Sequence, residues 1–527
     1  MGTYLNPGSS GFEEVLKSEY VDKTGLIALV NKTVGTMEKL TCISRPRRFG
    51  KSFAAKMLCA YYDGSCDSHS LFDDKEIAQT ENYLLHLNKY HVISIDITNF
   101  ISAMKKQQKS IENVPEMIES SIQEEMVSFY PELVNEKNLT SCLIRCVEKT
   151  GRKFIFIIDE WDAPIREAKE DAGAQTAYLN LLREWFKNNN FTPQVVAAAY
   201  MTGILPIKKD GSQSAISDFI EYPILDPGEF AQFTGFTEGE VKKLCEKHKM
   251  NFEEVKNWYD GYDFPEANAI YNPYSVISAM RKGKIRSYWQ KTSAAESLMT
   301  YINMDFEGMQ ELISRLISGE KIEVDTDSFE NDFETFKGKD DVLTLLIHLG
   351  YLTYNEEEKT ARIPNEEVRA EFRKILKNGN GNHKWIELLS RSQKLLEDTI
   401  AGNSAEVVKA IETIRDTQYA PTFYNDEQAL RYVIKFAYIA AVEQYLKVEE
   451  LPSGRGIADV VYLPQRMSRF PAMVVELKWN KSSEGAIAQI KEKNYPAVLQ
   501  DFGGEIVLAG INYDEKTKKY SCVIERV

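Results

Sequence analysis

The sequence predicts an α/β protein with a parallel sheet that is covered by helices on both faces over residues 39–204. Short apolar runs, mostly rich in Val and Ile, alternate there with segments of helical spacing, which implies right-handed crossovers between parallel strands. The strand-like runs are Lys39–Ser44, His91–Ile97, Lys153–Asp159 and Gln194–Thr202. The segments with helical spacing are Ser52–Tyr62, Ile111–Tyr130, Asn138–Lys149 and Ala174–Asn190.

The pattern changes twice along the rest of the chain. Residues 213–380 are mostly helical, with Gly and Pro between the helices, and Asn378–Asn382 is a loop rich in Gly and Asn. Beyond it, helices continue to about Lys447, followed by a strand–turn–strand section over Gly456–Leu477, a helix near 484–499 and a final hairpin. We therefore expect three domains, over residues 1–212, 213–380 and 381–527.

Composition excludes some classes of protein. The net charge of −15 argues against a protein that coats DNA through a broad basic surface. Residues 430–527 carry 14 Lys and Arg against 12 Asp and Glu, which permits a local nucleic-acid site near the C-terminus. The seven cysteines are scattered, and no apolar run approaches the roughly 18 residues of a membrane span. We expect a cytoplasmic protein without membrane partners.

The first candidate site is a loop between a strand and a helix. The strand ends at Ser44, a short loop with Arg48 and Phe49 follows, and a helix begins at Gly50-Lys51-Ser52. Backbone N–H groups and the helix N-terminus then point at one spot, which favours a phosphate. Lys51 would reach the β- and γ-phosphates, and Ser52 would bind Mg²⁺. A solvated basic turn is the alternative, and the roles of Arg45, Arg47 and Arg48 stay open.

Two further strands end in polar residues that belong beside this loop. The run Phe154–Ile158 is followed by Asp159 and Glu160, and ligands of a parallel sheet lie beyond the carboxyl ends of its strands. Asp159 would hold Mg²⁺ through its water shell, and Glu160 would polarise the attacking water. For Asp162 two alternatives stay open: it caps the following helix, or it takes part in the chemistry. Thr202, after Val195–Met201, would sense the γ-phosphate, unless it simply ends its strand.

These motifs together resemble the bacterial AAA-ATPase-like family over about residues 1–300. The blocks that carry the resemblance are Tyr20-Val-Asp-Lys-Thr24, Arg45-Pro-Arg-Arg-Phe-Gly-Lys-Ser52, Ile158-Asp-Glu-Trp-Asp162, Phe233-Thr-Gly-Phe-Thr237, Trp258-Tyr-Asp-Gly-Tyr262, Tyr271-Asn-Pro-Tyr274 and Tyr288-Trp-Gln-Lys-Thr-Ser293. The resemblance implies a P-loop NTPase fold that binds ATP, and members commonly end in a PD-(D/E)xK nuclease-like domain. We interpret the Tyr-Asp-Gly-Tyr and Asn-Pro-Tyr blocks as aromatic turns that pack a helical lid.

The second candidate site lies on two strands near the C-terminus. Asp459 lies on the first strand, and Glu476 and Lys478 are two residues apart on the second, so they share one face. Paired as a hairpin, the strands would bring Asp459 to Glu476 and form an oxygen site for Mg²⁺ or Mn²⁺. Lys478 would orient or deprotonate the water and stabilise the developing charge. A surface ion pair is the common alternative.

This arrangement resembles the PD-(D/E)xK core over about residues 425–527. The resemblance implies a restriction-endonuclease-like α/β domain and adds Gln489 and Tyr495, which match a Gln–Tyr block on the following helix. Glu443 is the best candidate for the extra acid that some members carry, and Glu449 and Glu450 compete with it. Ala458 stands where the pattern name has Pro.

Taken together, these sites predict an ATP-binding and ATP-hydrolysing protein that acts on nucleic acid, DNA in the first instance. The C-terminal site would be a Mg²⁺-dependent phosphodiesterase. The alternative is an ATP-driven binding or signalling switch whose C-terminal domain binds a partner without cleavage. A homo-oligomer is compatible with either function.

Overall fold

The computed structural model forms two compact units. The first comprises residues 1–290 and 323–367, and the second comprises residues 291–322 and 368–527. The structure describes residues 2–168, 171–207, 209–210, 213–214, 216–264, 267–289, 309–327, 329, 338–378, 383–418, 430, 433–434, 437–438, 441, 445–453, 456–464, 470–492, 499 and 505–527. In this part of the chain, no helix is both long and apolar enough to cross a membrane.

Helices and strands alternate along the described residues. The helices are α1 (Ser10–Leu16), α2 (Gly25–Thr33), α3 (Lys51–Tyr62), α4 (His69–Phe72), α5 (Tyr83–His86), α6 (Ile97–Lys106), α7 (Val114–Phe129), α8 (Leu139–Thr150), α9 (Ala163–Glu167), α10 (Ala172–Phe186), α11 (Thr192–Val195), α12 (Glu238–His248), α13 (Phe252–Tyr259), α14 (Pro273–Lys282), α15 (Met309–Ser318), α16 (Lys339–His348), α17 (Glu366–Asn378), α18 (His383–Ala401), α19 (Ser404–Gln418) and α20 (Ser483–Glu492). The strands are β1 (Leu40–Ser44), β2 (His91–Asp96), β3 (Phe154–Asp159), β4 (Val196–Gly203), β5 (Lys209–Asp210), β6 (Gln213–Ser214), β7 (Ile220–Tyr222), β8 (Tyr262–Phe264), β9 (Ala267–Ile270), β10 (Ile322–Glu323), β11 (Thr353–Asn355), β12 (Thr360–Arg362), β13 (Tyr445–Ser453), β14 (Gly456–Pro464), β15 (Ala472–Trp479), β16 (Ile506–Asp514) and β17 (Lys519–Arg526).

The first unit is built on a parallel sheet with the strand order β2-β3-β4-β1-β7. All residues of β1, β3 and β4 are buried, as expected for central strands covered on both faces. Alternate residues of β3 belong to two separate hydrophobic cores. Phe154, Phe156 and Ile158 pack in one core, and Ile155 and Ile157 pack in the other. The predicted parallel α/β sheet is therefore confirmed, and its fifth strand, β7, comes from beyond residue 212.

The strand order decides which side chains meet at one edge of this sheet. Because β4 lies between β1 and β3, the end of β4 adjoins both the end of β1 and the end of β3. Thr202 pairs in register with Ile43, and Asp159 at the end of β3 pairs with Asp96 of β2. The loop after β1 and the acidic end of β3 thus flank Thr202.

The Tyr-Asp-Gly-Tyr block leads from α13 into β8 and packs in the interior. Tyr259 and Tyr262 are fully buried, and their hydroxyls donate to the carbonyl oxygens of Arg286 and Gly350 at 2.8 and 2.7 Å. Gly261 has φ +109°, and a Cβ there would lie 2.0 Å from the carbonyl oxygen of Pro364. Only glycine therefore fits at position 261.

The second unit contains a mixed sheet of order β13-β14-β15-β16-β17. The predicted hairpin is present, because β14 and β15 pair antiparallel, and the predicted final hairpin is β16–β17. The neighbouring strands β15 and β16 run parallel, with α20 between them in the chain. Ile487 and Ile490 of α20 belong to the core formed with β15 and β16, and a Cβ at Gly510 would lie 2.4 Å from the carbonyl oxygen of Ser483. The helix therefore lies directly on the sheet.

Candidate functional site

The loop after β1 has the backbone geometry of an anion site. Gly50 caps α3 with φ +87°, a left-handed conformation that glycine adopts without strain, and Arg48 also has a positive φ of 73°. The helix that starts at Lys51 is 12 residues long, and its first turn contains no acid. The N–H groups of Lys51 and Ser52 at the start of this helix and the positive end of the helix dipole lie together.

Arg45 occupies the interior of the protein. Its side chain is fully buried, and Nε donates to Thr234 Oγ1 at 2.9 Å. Its Nη1 donates to the carbonyl oxygens of Ser44 at 2.9 Å and Tyr222 at 2.6 Å. Arg45 therefore ties the loop to β7 and to the segment before α12, which is a structural role that the sequence left open.

Arg48 and Phe49 contact the region packed behind the loop. The Arg48 guanidinium lies 4.2 Å from the ring centre of Tyr274, and Nη1 donates to the carbonyl oxygen of Tyr288 at 3.0 Å. Phe49 is fully buried, and its ring meets Tyr262 edge-on at 5.0 Å. Arg48 and Phe49 thus anchor the loop to the aromatic blocks.

Lys51 is buried within the loop. Its ammonium donates to the carbonyl oxygens of Arg45 at 3.0 Å and Pro46 at 3.1 Å, and it lies 3.6 Å from Glu160 Oε1. Only 4% of the side chain is exposed. The ammonium therefore joins the loop after β1 to the acidic end of β3, across a sequence separation of more than 100 residues.

Asp159 lies at the centre of a short hydrogen-bond network. The Thr202 hydroxyl donates to Asp159 Oδ1, and Ser52 also hydrogen-bonds this carboxylate. Burial raises the pKa of Asp159, although both hydrogen bonds and the charge of Lys51 act in the opposite direction. A hydroxyl and a carboxylate, both hard oxygen donors, are thus adjacent, and this donor set fits Mg²⁺. Thr202 is fully buried, so it reaches the site through Asp159.

Glu160 is held by positive charges on two sides. Its Oε1 faces Lys51, and its Oε2 lies 2.5 Å from Nη2 of Arg166. Burial acts to raise the pKa of Glu160, but the charges of Lys51, Arg166 and Arg47 outweigh it and hold the pKa below its ordinary value. Glu160 also has φ +52°, an uncommon conformation for a residue other than glycine.

Asp162 does not cap α9 with its side chain, although it lies at the N-cap position. Its Oδ2 accepts hydrogen bonds from the backbone N–H groups of Ile204 at 3.1 Å and Leu205 at 2.9 Å, and it also pairs with Arg166. Capping was one of two alternatives from the sequence, and the competing backbone donors after β4 explain why it does not occur.

These residues surround a cavity of about 690 Å³, a size typical of small-molecule sites. Lys51, Ser52, Asp159 and Glu160 line it together with apolar and basic side chains that the sequence analysis did not name as site residues. The additional lining residues include Tyr20, Val21, Met57, Phe236, Ile277, Arg47 and Arg281. Of these, Tyr20, Val21, Arg47 and Phe236 belong to blocks that carried the family resemblance, whereas Met57, Ile277 and Arg281 belong to none of them.

In the second unit, the structure brings together three of the C-terminal candidates. Lys478 Nζ lies 3.0 Å from Glu476 Oε1, and Gln489 Nε2 of α20 donates to the same oxygen. Glu476 and Lys478 are both buried, which excludes the alternative of an exposed surface ion pair. Glu476 pairs in register with Gly510 and Lys478 with Asn512, so both lie on the parallel part of the sheet.

The remaining C-terminal candidates are placed only in part. Val460, the residue after Asp459, pairs with Val475, the residue before Glu476. Glu443 and Tyr495 lie outside the described residues. Among the residues that the structure describes, no group of three or more His, Cys, Asp or Glu is arranged to hold a metal ion. The metal site at Asp459 and Glu476 therefore stays a prediction.

Comparison with solved structures gives only distant likenesses. The chain is similar to Caenorhabditis elegans PCH-2 (11% identity, TM-score 0.25, 50% of this chain and 56% of that one). It is also similar to the Aeropyrum pernix ORC2 protein in ADPNP–ADP complexes (11% identity, TM-score 0.33, 70% and 98%). The third is A. pernix ORC1 in complex with DNA (10% identity, TM-score 0.24, 95% and 100%).

Sequence comparison matches a relative along most of the chain and a family model over residues 8–212. A curated relative, an uncharacterized protein in the vnfD 5′ region of Azotobacter chroococcum mcd 1, is 22% identical over 515 residues, which span 95% of this chain and 93% of that protein. Residues 8–212 match the family model described as "Predicted AAA-ATPase". This matched region, which is similar to that family, contains the loop after β1, the acidic end of β3 and Thr202.

Proposed function

We propose that the cavity of the first unit binds ATP with Mg²⁺ and hydrolyses it. One observation carries this proposal: side chains from two separate motifs, Lys51-Ser52 and Asp159-Glu160, line the same cavity at the carboxyl edge of a parallel sheet. If the two motifs were unrelated, the fold would not be expected to bring both of them to one cavity. The fit of the Ser52 and Asp159 oxygens to a hard cation supports the same assignment.

Each residue has a definite task in this proposal. Lys51 exchanges its two carbonyl partners for phosphate oxygens, and the N–H groups at the start of α3 bind the phosphates. Ser52 and Asp159 hold the ion, which supplies positive charge against the phosphates. Thr202 keeps Asp159 oriented through its hydroxyl. Glu160 orients the attacking water and accepts its proton, since it is ionised at neutral pH.

Measuring ATP binding and ATP hydrolysis separately tests this assignment. In Glu160→Gln the carboxylate that accepts the proton is lost, whereas the phosphate and Mg²⁺ contacts remain. We expect ATP hydrolysis to fall roughly 100-fold, with the Kd for ATP within about twofold of wild type. Turnover by Glu160→Gln at the wild-type rate would remove Glu160 from this role, and absence of ATP binding by the wild-type protein would refute the proposal.

For the second unit, the proposal is a metal-dependent phosphodiesterase that acts on nucleic acid, DNA in the first instance, under control of the ATP site. The buried contact of Glu476 with Lys478 and Gln489 supports it. Burying two charges carries a desolvation penalty, so a buried ion pair is more readily explained by a function than by a gain in stability. Asp459 and Glu476 would hold Mg²⁺ or Mn²⁺. Lys478 would stabilise the charge that develops on the scissile phosphate.

The alternative for the second unit is a module that binds a partner without cutting it. A cleavage assay with purified protein separates the two functions, using single- and double-stranded DNA and RNA with Mg²⁺ or Mn²⁺, each with and without ATP. Metal-dependent cleavage supports the phosphodiesterase. No cleavage under any of these conditions favours an ATP-driven binding switch.

A further inference from the structure

Arg166 of α9 joins two carboxylates that follow β3. Its Nε donates to Asp162 Oδ2 at 2.9 Å, and its Nη2 lies 2.5 Å from Glu160 Oε2. The Arg166 side chain is only 10% exposed and the Asp162 side chain 1%. Burial acts to lower the pKa of Arg166, but the two carboxylates outweigh it, so the guanidinium is charged at every accessible pH.

The position of Arg166 is fixed by the chain that leaves β4. Asp162 is anchored by the backbone N–H groups of Ile204 and Leu205, immediately after Thr202 and Gly203. Asp162 also packs against Gly203, where a Cβ would lie 2.9 Å from its Oδ1. The guanidinium is therefore held by a carboxylate that is itself anchored to the backbone.

The i,i+4 pair with Asp162 would by itself satisfy a structural arginine on a helix. Arg166 also reaches back to Glu160, which the left-handed backbone of that residue brings toward it. With Oε2 bound by Arg166, the other oxygen of Glu160 is turned toward Lys51. One carboxylate oxygen is thus immobilised, while the other is directed to the phosphate-binding residue.

We propose that Arg166 is a positioning residue for ATP hydrolysis, which binds Glu160 Oε2 so that Oε1 is presented to the water that attacks the γ-phosphate. The inference rests on the proposed ATPase function. Asp162 and the backbone after β4 hold Arg166 in place, so the same strand that carries Thr202 also determines the orientation of Glu160. ATP binding itself does not require Arg166, because no phosphate contact is assigned to it.

The first test separates positioning from a structural role by comparing turnover with binding. We expect Arg166→Ala to lower kcat at least about tenfold, with the calorimetric Kd for ATP within about twofold of wild type. Arg166→Lys, which keeps a cation beside Asp162 but lacks the guanidinium fork, should recover part of kcat. Arg145→Ala is the matched control, because Arg145 is an exposed arginine of α8 that also pairs with two glutamates.

The second test is a double-mutant cycle with Glu160→Gln. If Arg166 acts through Glu160, adding Arg166→Ala to Glu160→Gln should lower single-turnover hydrolysis by less than about twofold. Independent, multiplicative losses would overturn the inference, as would an unchanged kcat in Arg166→Ala. If Arg166→Ala does not fold, Arg166→Lys takes its place in the cycle with the same expectation.

The outcomes distinguish this inference from the function on which it rests. Wild-type protein that binds and hydrolyses ATP, with Arg166 variants that turn over normally, refutes the positioning role alone. Wild-type protein that does not bind ATP refutes both.

Discussion

The two candidate sites come together in different ways. In the first unit, Lys51, Asp159 and Thr202 are far apart in sequence, and only the placement of β4 between β1 and β3 makes them neighbours. In the second unit, Glu476 and Lys478 are two residues apart on one strand, so strand periodicity alone puts them on the same face. Convergence from distant segments is a stronger sign of function than local spacing, because many strands place a Glu and a Lys two residues apart.

The same comparison shows where each site is anchored. Asp159 is fixed by hydrogen bonds from Ser52 and Thr202, and Asp162 is fixed by the backbone after β4. Glu476 is fixed by Lys478 on its own strand and by Gln489 of α20. The first site therefore depends on the whole sheet, and the second on one strand and one helix.

The largest effect that would sharpen this comparison is expected at Lys478. Lys478→Ala should lower metal-dependent cleavage at least about 100-fold, because the developing phosphate charge loses its ammonium. ATP hydrolysis should stay within about threefold, or ~0.7 kcal/mol of barrier, since the ATP site lies in the other unit. Lys481→Ala, at an exposed lysine just after the same strand, is the control. Cleavage by Lys478→Ala at the wild-type rate would remove the site from this strand.

A smaller effect is expected at Thr202. Thr202→Val removes the hydroxyl that donates to Asp159 while keeping a side chain of similar shape. We expect a loss of about 1 kcal/mol, or roughly fivefold weaker Mg²⁺-dependent ATP binding, measured by calorimetry at several Mg²⁺ concentrations. Thr202→Ser keeps the hydroxyl and should bind as wild type does. An equal loss of ATP affinity in both variants would mean that Thr202 contributes through packing and not through its hydroxyl.

The smallest effect concerns Asp260, which lies in the aromatic block behind the loop of the first site. Burial raises the pKa of Asp260 to about 6, with like charges adding to it. Because the folded-state pKa exceeds the unfolded one, folding binds a proton between about pH 4 and pH 6, and stability is lost as pH rises through that window. At pH 7.5 the ionised carboxylate is therefore unfavourable.

Asp260→Asn removes this penalty and keeps an oxygen for the Gly261 N–H. We expect the variant to be more stable than wild type by about 0.5–1 kcal/mol at pH 7.5 and no more stable at pH 4, by urea unfolding. A stability difference that is the same at both pH values would contradict this account. The stability difference would then come from the amide group of Asn and not from the loss of the carboxylate charge.

Much of this molecule could be predicted from local patterns. The mainly apolar runs that precede Ser44 and Asp159 predict buried strands, and both strands are observed within a residue of the expected bounds. The pairing of β14 with β15 follows from the turn between two apolar strands. These features depend on neighbouring residues, which is the information that periodicity carries.

The remaining features depend on distant partners. The role of Arg45 stayed open in the sequence, because its partners include Tyr222 and Thr234, which lie far along the chain and come near only in the fold. Arg281 lines the cavity from α14 without a motif to mark it. Arg166 was the exception, since its i,i+4 spacing to Asp162 could have suggested the pair, although not its contact with Glu160.

The central claim is that one cavity unites the loop after β1 with the acidic end of β3 to bind ATP. Calorimetric titration of ATP with Mg²⁺ into Lys51→Ala and Lys56→Ala tests this most directly, because both lysines lie on α3 and Lys56 does not line the cavity. We predict at least about tenfold weaker binding for Lys51→Ala, from loss of charge-assisted contacts to phosphate, and wild-type affinity for Lys56→Ala. Equal affinity of Lys51→Ala and wild type would contradict the account.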